Sequence, residues 1–249
     1  MNQSPHFEGF TPLDASQVYL TANRALHTAG LGYLTEIWEV NTAHDAPYHN
    51  AYHSQCVVTQ CAEACDYYGI TAANKRAVLA AAFFHDFDHS AGCKDDDWNT
   101  QLASKRSREL LHKWFSAGLI SAYKISTVER SILSTRYPFG ADPRSIGARV
   151  LRDADMMQCL EFDTDRAVLQ YLGLKQEIER QRHVRYSNAE WADGMSMWWK
   201  DNTRWLTQWG SERALHFDCR QRYENICNLI RDAVDAQGAV SAIHTPVSR

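Results

Sequence analysis

The sequence predicts an all-α fold, and three observations carry that prediction. Apolar residues recur at three- and four-residue spacing along most of the chain. No stretch of any length alternates apolar with polar residues as a half-buried strand does. Glycines and prolines punctuate the periodic stretches at helix-like intervals. The chain has 249 residues, 45% of them apolar and 22% charged, which is enough for a substantial core, and residues 1–249 read as one domain.

Taken in order, residues 1–13 hold two prolines and little periodicity and read as a lead-in. Asp14 is placed to cap a helix reaching about Ala29, with Gly30 and Gly32 as stops, and Leu31 to Val40 adds a further helical turn or two. Asp45 then stands as a cap before Pro47, whose missing N–H costs nothing in a first turn, so a helix is expected from about Pro47 to Tyr68, closed by Gly69. It carries His49 and His53 on one face. An alanine-rich helix from Asn74 follows and runs into Phe83-Phe84-His85-Asp86-Phe87-Asp88-His89.

Gly92 and Asp95-Asp96-Asp97 mark a loop, the acidic run being a solvated turn or a helix cap. Helices are then expected over Trp98 to Ser116, Ser121 to Thr135, Arg144 to Asp163 and Asp165 to Arg182, with Arg136-Tyr137-Pro138-Phe139-Gly140 breaking the second from the third. Trp191, Met195, Trp198, Asn202, Trp205 and Trp209 fall at alternating fours and threes, the pattern of one long amphipathic helix against the core. Ala214 to Val234 is the last helix expected, before a weakly ordered end from Asp235 to Arg249.

Several classes are disfavoured. A net charge of −4 offers no electrostatic case for nucleic acid or an anionic membrane surface. The longest wholly apolar run, Ala77 to Phe84, is far too short to span a bilayer. Residues 1–30 lack a basic start followed by an apolar segment. Seven cysteines at irregular spacing make no disulfide framework, and Cys61 with Cys65 lacks a second pair for a zinc site. Reduced core thiols in a cytoplasmic protein are the expectation.

The chemistry gathers around His85-Asp86-Phe87-Asp88-His89. On a helix, His85 and Asp86 differ by about 100°, so both reach a metal in a neighbouring cleft, and His89 returns to the face of His85. Imidazole with carboxylate suits divalent transition metals. Farther on, Asp153 and Asp155 stand among Val150, Leu151, Met156 and Met157, where an unpaired carboxylate is costly unless a partner or a cation meets it.

The ordered set His49-x-x-x-His53, His85-Asp86-x-x-His89 and Ala154-Asp155 resembles the HD-domain metal-dependent phosphohydrolases. Within that superfamily, Tyr48-His49-Asn50-Ala51-Tyr52-His53 and His85-Asp86-Phe87-Asp88-His89 are similar to the motifs of class I cyclic nucleotide phosphodiesterases. Where those enzymes carry Pro-Gly after the second histidine this chain has Ser90-Ala91-Gly92, and Cys56 stands in place of an aspartate. The resemblance covers a motif core of about residues 45–160 and implies a single HD-domain-like helical bundle, with helices of 165–235 packed on that core.

It further implies His53, His85, Asp86 and Asp155 as ligands of one or two divalent ions (Mn, Mg, Zn, Fe or Ni), with Asp153 as the rival to Asp155. His49 would be the acid for the leaving oxygen. His89 would orient the water or a ligand. Asn99 matches a downstream asparagine, and Tyr48, Lys105, Arg136 and Arg152 are candidate substrate contacts. The function implied is a phosphohydrolase, foremost a phosphodiesterase acting on a nucleotide-like small-molecule phosphate ester through a metal-bound water. The alternatives are a nucleotidase or (deoxy)nucleoside triphosphate hydrolase with the same metal core, or a non-catalytic HD-fold nucleotide-binding protein.

Overall fold

A computed structural model describes residues 15–38, 40–115, 121–157 and 164–233. The expected lead-in, the Asp14 cap and the expected loose end after Asp235 lie outside the described residues. Ten α-helices and one 3-10 turn, and no strand, are found among those described. The first helix, α1 (Ala15–Thr28), is followed by Gly30, whose φ of 74° favours a residue without a Cβ. The helical turn expected next is the 3-10 segment Gly32–Ile37.

The next two helices differ from the sequence expectation at the ends that matter most. Helix α2 (Ala51–Tyr67) starts four residues later than Pro47, and its cap is Asn50 rather than Asp45. The Asn50 side-chain oxygen accepts from the N–H of His53 at 3.1 Å, while its amide nitrogen donates to the Ala46 carbonyl. The N–H groups of Tyr48 and His49, which an earlier helix start would leave over, are taken instead by Glu177.

Helix α3 (Ala72–Phe84) stops before the His-Asp motif, with His85 as its C-cap. Residues 85–88 continue as turns, and Asp88 sits at a φ of 61°. The Asp88 carboxylate accepts from Thr42 N and Oγ1 and from Arg106 Nε, and its own N–H donates to Asn41 Oδ1. Those four bonds replace the helical ones and hold the left-handed residue.

Helix α4 (Asp96–Phe115) is capped by Asp95, which accepts from Trp98 N, as the acidic run suggested. It packs along α5 (Ala122–Leu133), and both lie near α3. Helix α6 (Ile146–Met157) follows, then α7 (Thr164–Arg182).

The tryptophan stripe is not one long helix. It is divided between α8 (Asn188–Asn202) and α9 (Gln208–His216), with Trp205 in the connection. The break is fixed from outside: buried Asp153 accepts from Leu206 N at 2.8 Å, Thr207 N at 2.9 Å and Thr207 Oγ1 at 2.6 Å. Likewise the expected Ala214 to Val234 helix is interrupted at Asp218, φ 46°, before α10 (Cys219–Asp232).

Two large groups of buried apolar side chains hold the helices together, and a third, of Val18, Tyr52 and Cys56, joins α1 to α2. One joins α1, α2, α3, α5 and α6 around Leu26, Leu79, Phe83, Phe84 and Ile132, and also takes in Trp209 of α9. The other joins α7, α8, α10 and the end of α6 around Met157, Tyr171, Trp199 and Tyr223. Trp199 stacks on Tyr223 with ring centroids 4.3 Å apart. Among the described cysteines, Cys56, Cys61, Cys65, Cys219 and Cys227 are buried free thiols, and Cys93 is exposed.

Candidate metal centre

Four side chains from two helices and the turn after a third converge where the first core meets the second. His53 is in the first turn of α2, His85 and Asp86 follow the end of α3, and Asp155 is near the end of α6. One ligand atom from each lies within 4.8 Å of all the others. His53 Nε2 is 3.0 Å from His85 Nε2. Asp86 Oδ2 is 2.9 Å from each of these nitrogens, and Asp155 Oδ1 is 3.3 Å from His53 Nε2 and 3.6 Å from His85 Nε2.

His85 Nδ1 donates to the Ala82 carbonyl at 2.8 Å, which leaves the Nε2 lone pair pointing into the cluster. Burial by itself would raise the Asp86 carboxyl, but the imidazoles of His85, His49 and His53 hold it well below the usual carboxylate range. Asp155 is held down in the same way by His53 and His85. Two ionised carboxylates and two imidazole nitrogens turned on one point are the donor set of a divalent transition metal, and the residues fit such an ion.

A second group adjoins the first. Glu177, on α7 and 2% exposed, accepts from His49 Nδ1 at 2.6 Å while its other oxygen takes the N–H groups of Tyr48 and His49. Since Nδ1 donates to Glu177, His49 Nε2 is the nitrogen left for the cleft. Burial would lower the His49 pKa, but the carboxylates of Glu177 and Asp86 carry it up to about 9. His89 lies beside it with ring centroids 3.8 Å apart. Burial, and then the charge on His49, push His89 down to about 3, and its Nδ1 accepts from Ala91 N. Of two adjacent imidazoles, one is held protonated and the other neutral.

Two glycines let α7 come this close. A Cβ on Gly173 would lie 2.1 Å from the Pro47 carbonyl oxygen, and one on Gly92 would lie 2.1 Å from the Glu177 carbonyl oxygen. Glu177 was not expected from the sequence. Its one signal there is Gly173, a helix-interior glycine one turn earlier on the same face, which marks a close backbone approach.

The remaining sequence candidates fall in different places. Tyr48 lies against the site, its ring 4.7 Å from that of His49 and 5.1 Å from that of His53. Asn99 is buried and turned to the loop, where its Oδ1 accepts from Ser90 N. Arg136 pairs with Asp97 at the surface. Lys105 lies beside Glu109 in an open hollow of about 430 Å³ between α4 and α5, which none of the cluster residues lines. Asp153, the rival ligand, is engaged in holding the start of α9 and is not part of the cluster.

The architecture has solved counterparts. It is similar to the crystal structure of the phosphodiesterase domain of the RhoPDE fusion protein from the choanoflagellate Salpingoeca rosetta, with a TM-score of 0.61 over 92% of this chain and 94% of that one at 13% identity. The chain has the fold of a phosphodiesterase domain. A second structure, LmjPDEB1 in complex with IBMX, aligns with a TM-score of 0.53 over 95% of this chain and 90% of that one at 12% identity. No protein-family model and no curated protein matches the sequence. The all-helical phosphodiesterase fold expected from the motifs is therefore the observed one, reached at an identity too low for overall sequence comparison to find. No described helix is long and apolar enough to cross a membrane.

Proposed function

We propose that this protein is a divalent-metal phosphohydrolase that cleaves a phosphodiester bond of a nucleotide-like small molecule. His53, His85, Asp86 and Asp155 would hold the metal, and His49 would be the general acid. The observation that carries this reading is the pairing of two arrangements: a four-ligand cluster, and beside it an imidazole whose Nδ1 is held 2.6 Å from a buried carboxylate, its Nε2 unclaimed.

When bound, one or two divalent ions supply a Lewis acid for the phosphoryl group and a water acidified toward neutrality. The chain does the rest. Glu177 holds the His49 proton pair in place, Nδ1–H inward and Nε2–H toward the leaving oxygen, so that the departing alkoxide is protonated as it leaves. Neutral His89 lies along the His49 ring and limits where it can move. Tyr48 covers the same ring from the other core.

Leaving-group dependence tests the assignment. With Mn²⁺ present, His49→Gln is expected to lose about 10²–10⁴-fold on a diester with a sugar alkoxide leaving group, the range for one general acid, and far less on bis(p-nitrophenyl) phosphate, whose leaving group needs no proton. Equal losses on both substrates would remove His49 from the acid role. Cyclic nucleotides, cyclic dinucleotides, monophosphates and deoxynucleoside triphosphates assayed side by side separate the diesterase from a nucleotidase. Turnover of monophosphates or triphosphates alone would overturn the diesterase reading.

A further inference from the structure

Among the described residues, Arg152 is a largely buried cation with no carboxylate within ion-pair distance. It precedes Asp155 by three positions on α6, so the two side chains are neighbours on one helix face. Its exposure is only 8%. The guanidinium lies over the Phe139 ring, 4.1 Å from the centroid. Stacking uses the flat face of the group and leaves the N–H donors around its edge free for a forked contact.

Each carboxylate near Arg152 is engaged elsewhere. Asp153 takes three bonds from Leu206 and Thr207, Asp142 pairs with Arg204, and Asp155 belongs to the metal cluster. No carboxylate among the described residues lies within ion-pair distance of Arg152. No Arg152 nitrogen is both wholly buried and unpartnered, so the edge of the group can be reached, and a guanidinium held by one ring face with no carboxylate in range is placed for an anionic ligand.

We propose that Arg152 forms an anion subsite one helical turn from the metal cluster, and that it takes a second phosphate of the substrate while the scissile one sits at the cluster. The subsite rests on the phosphodiesterase reading above and sharpens it. The single charge of a cyclic mononucleotide is already met by the metal. A buried guanidinium in addition selects a substrate with two phosphate groups, such as a cyclic dinucleotide.

The test uses the Mn²⁺-loaded protein with Arg152→Met, which keeps the packing on Phe139, and Arg152→Lys, which keeps the charge but not the fork. Calorimetry measures the binding of pyrophosphate and of inorganic phosphate, and kinetics compare a cyclic dinucleotide, a cyclic mononucleotide and bis(p-nitrophenyl) phosphate. Loss of one charge-assisted pair should weaken pyrophosphate binding and lower kcat/KM for the dinucleotide by roughly 10- to 100-fold. The singly charged substrates should lose at least about tenfold less, and Arg152→Lys should recover part of the loss.

Pyrophosphate affinity and dinucleotide kcat/KM within about twofold of wild type in Arg152→Met would overturn the subsite, as would equal losses on all three substrates. If Arg152→Met does not fold, as judged by circular dichroism, Arg152→Lys decides alone, and an unchanged preference for two phosphates there counts against it. A wild type that hydrolyses nothing, yet binds pyrophosphate through Arg152, keeps the subsite and removes the hydrolase.

Discussion

At the scale of single residues, the pair His49–Glu177 sets the sharpest expectation. The His49 pKa is raised to about 9, above the ordinary imidazole range, so its proton is present at neutral pH and is lost as pH rises through the folded value. The rate should therefore decline on the basic side. Glu177→Gln removes the carboxylate charge while keeping an acceptor for Nδ1–H, and burial then prevails. The basic limb of the pH profile of kcat/KM should move toward neutrality in that variant, and an unmoved limb would detach the two residues. At this scale the sequence was informative wherever ligands fall in a short motif. His53, His85, Asp86 and Asp155 are nameable because their motifs resemble those of the HD-domain phosphohydrolases, and the structure brings all four together. Glu177 is not, because its partner His49 lies 128 positions away and no local pattern links them.

At the scale of elements, the positions where helices stop are decided by bonds from elsewhere in the chain. Periodicity located α2 and α3 but extended them too far. Asn50, Glu177 and Asp88 supply hydrogen bonds that helical continuation would have forfeited. The split between α8 and α9 has the same cause in Asp153. Thr207 caps α9 with its hydroxyl, accepting from Gly210 N, and also donates to Asp153. Thr207→Ala should cost about 1–2 kcal/mol, read as a lower urea midpoint with an unchanged slope. Gly173→Ala is the companion test on α7. Its Cβ meets backbone, not a flexible side-chain end, so the Pro47–Tyr48 segment has to shift. A loss of about 1–3 kcal/mol is expected, with activity falling further than stability explains because His49 follows that segment. Activity that tracks the folded fraction alone would show that α7 does not place the acid.

At the scale of the whole molecule, the all-α class was readable because a helix face repeats along the chain, whereas the seam between two cores was not, since it depends on which faces meet. The cluster lies on that seam: its ligands come from the α2, α3 and α6 side, and the acid is fixed by α7. Folding without metal draws two ionised carboxylates into the interior against imidazoles alone, and the cation adds its attraction only in the folded state. Metal binding should therefore appear as stability. At a Mn²⁺ concentration about 100 times Kd the gain is about 2.7 kcal/mol, which for a chain of this size is a rise in Tm of roughly 5–10 °C. A chelator should reverse it, and His85→Ala should abolish both the rise and the stoichiometric metal found by elemental analysis. Metal retained by His85→Ala with the rise intact would place the ion away from these four side chains, and the hydrolase reading would lose its centre.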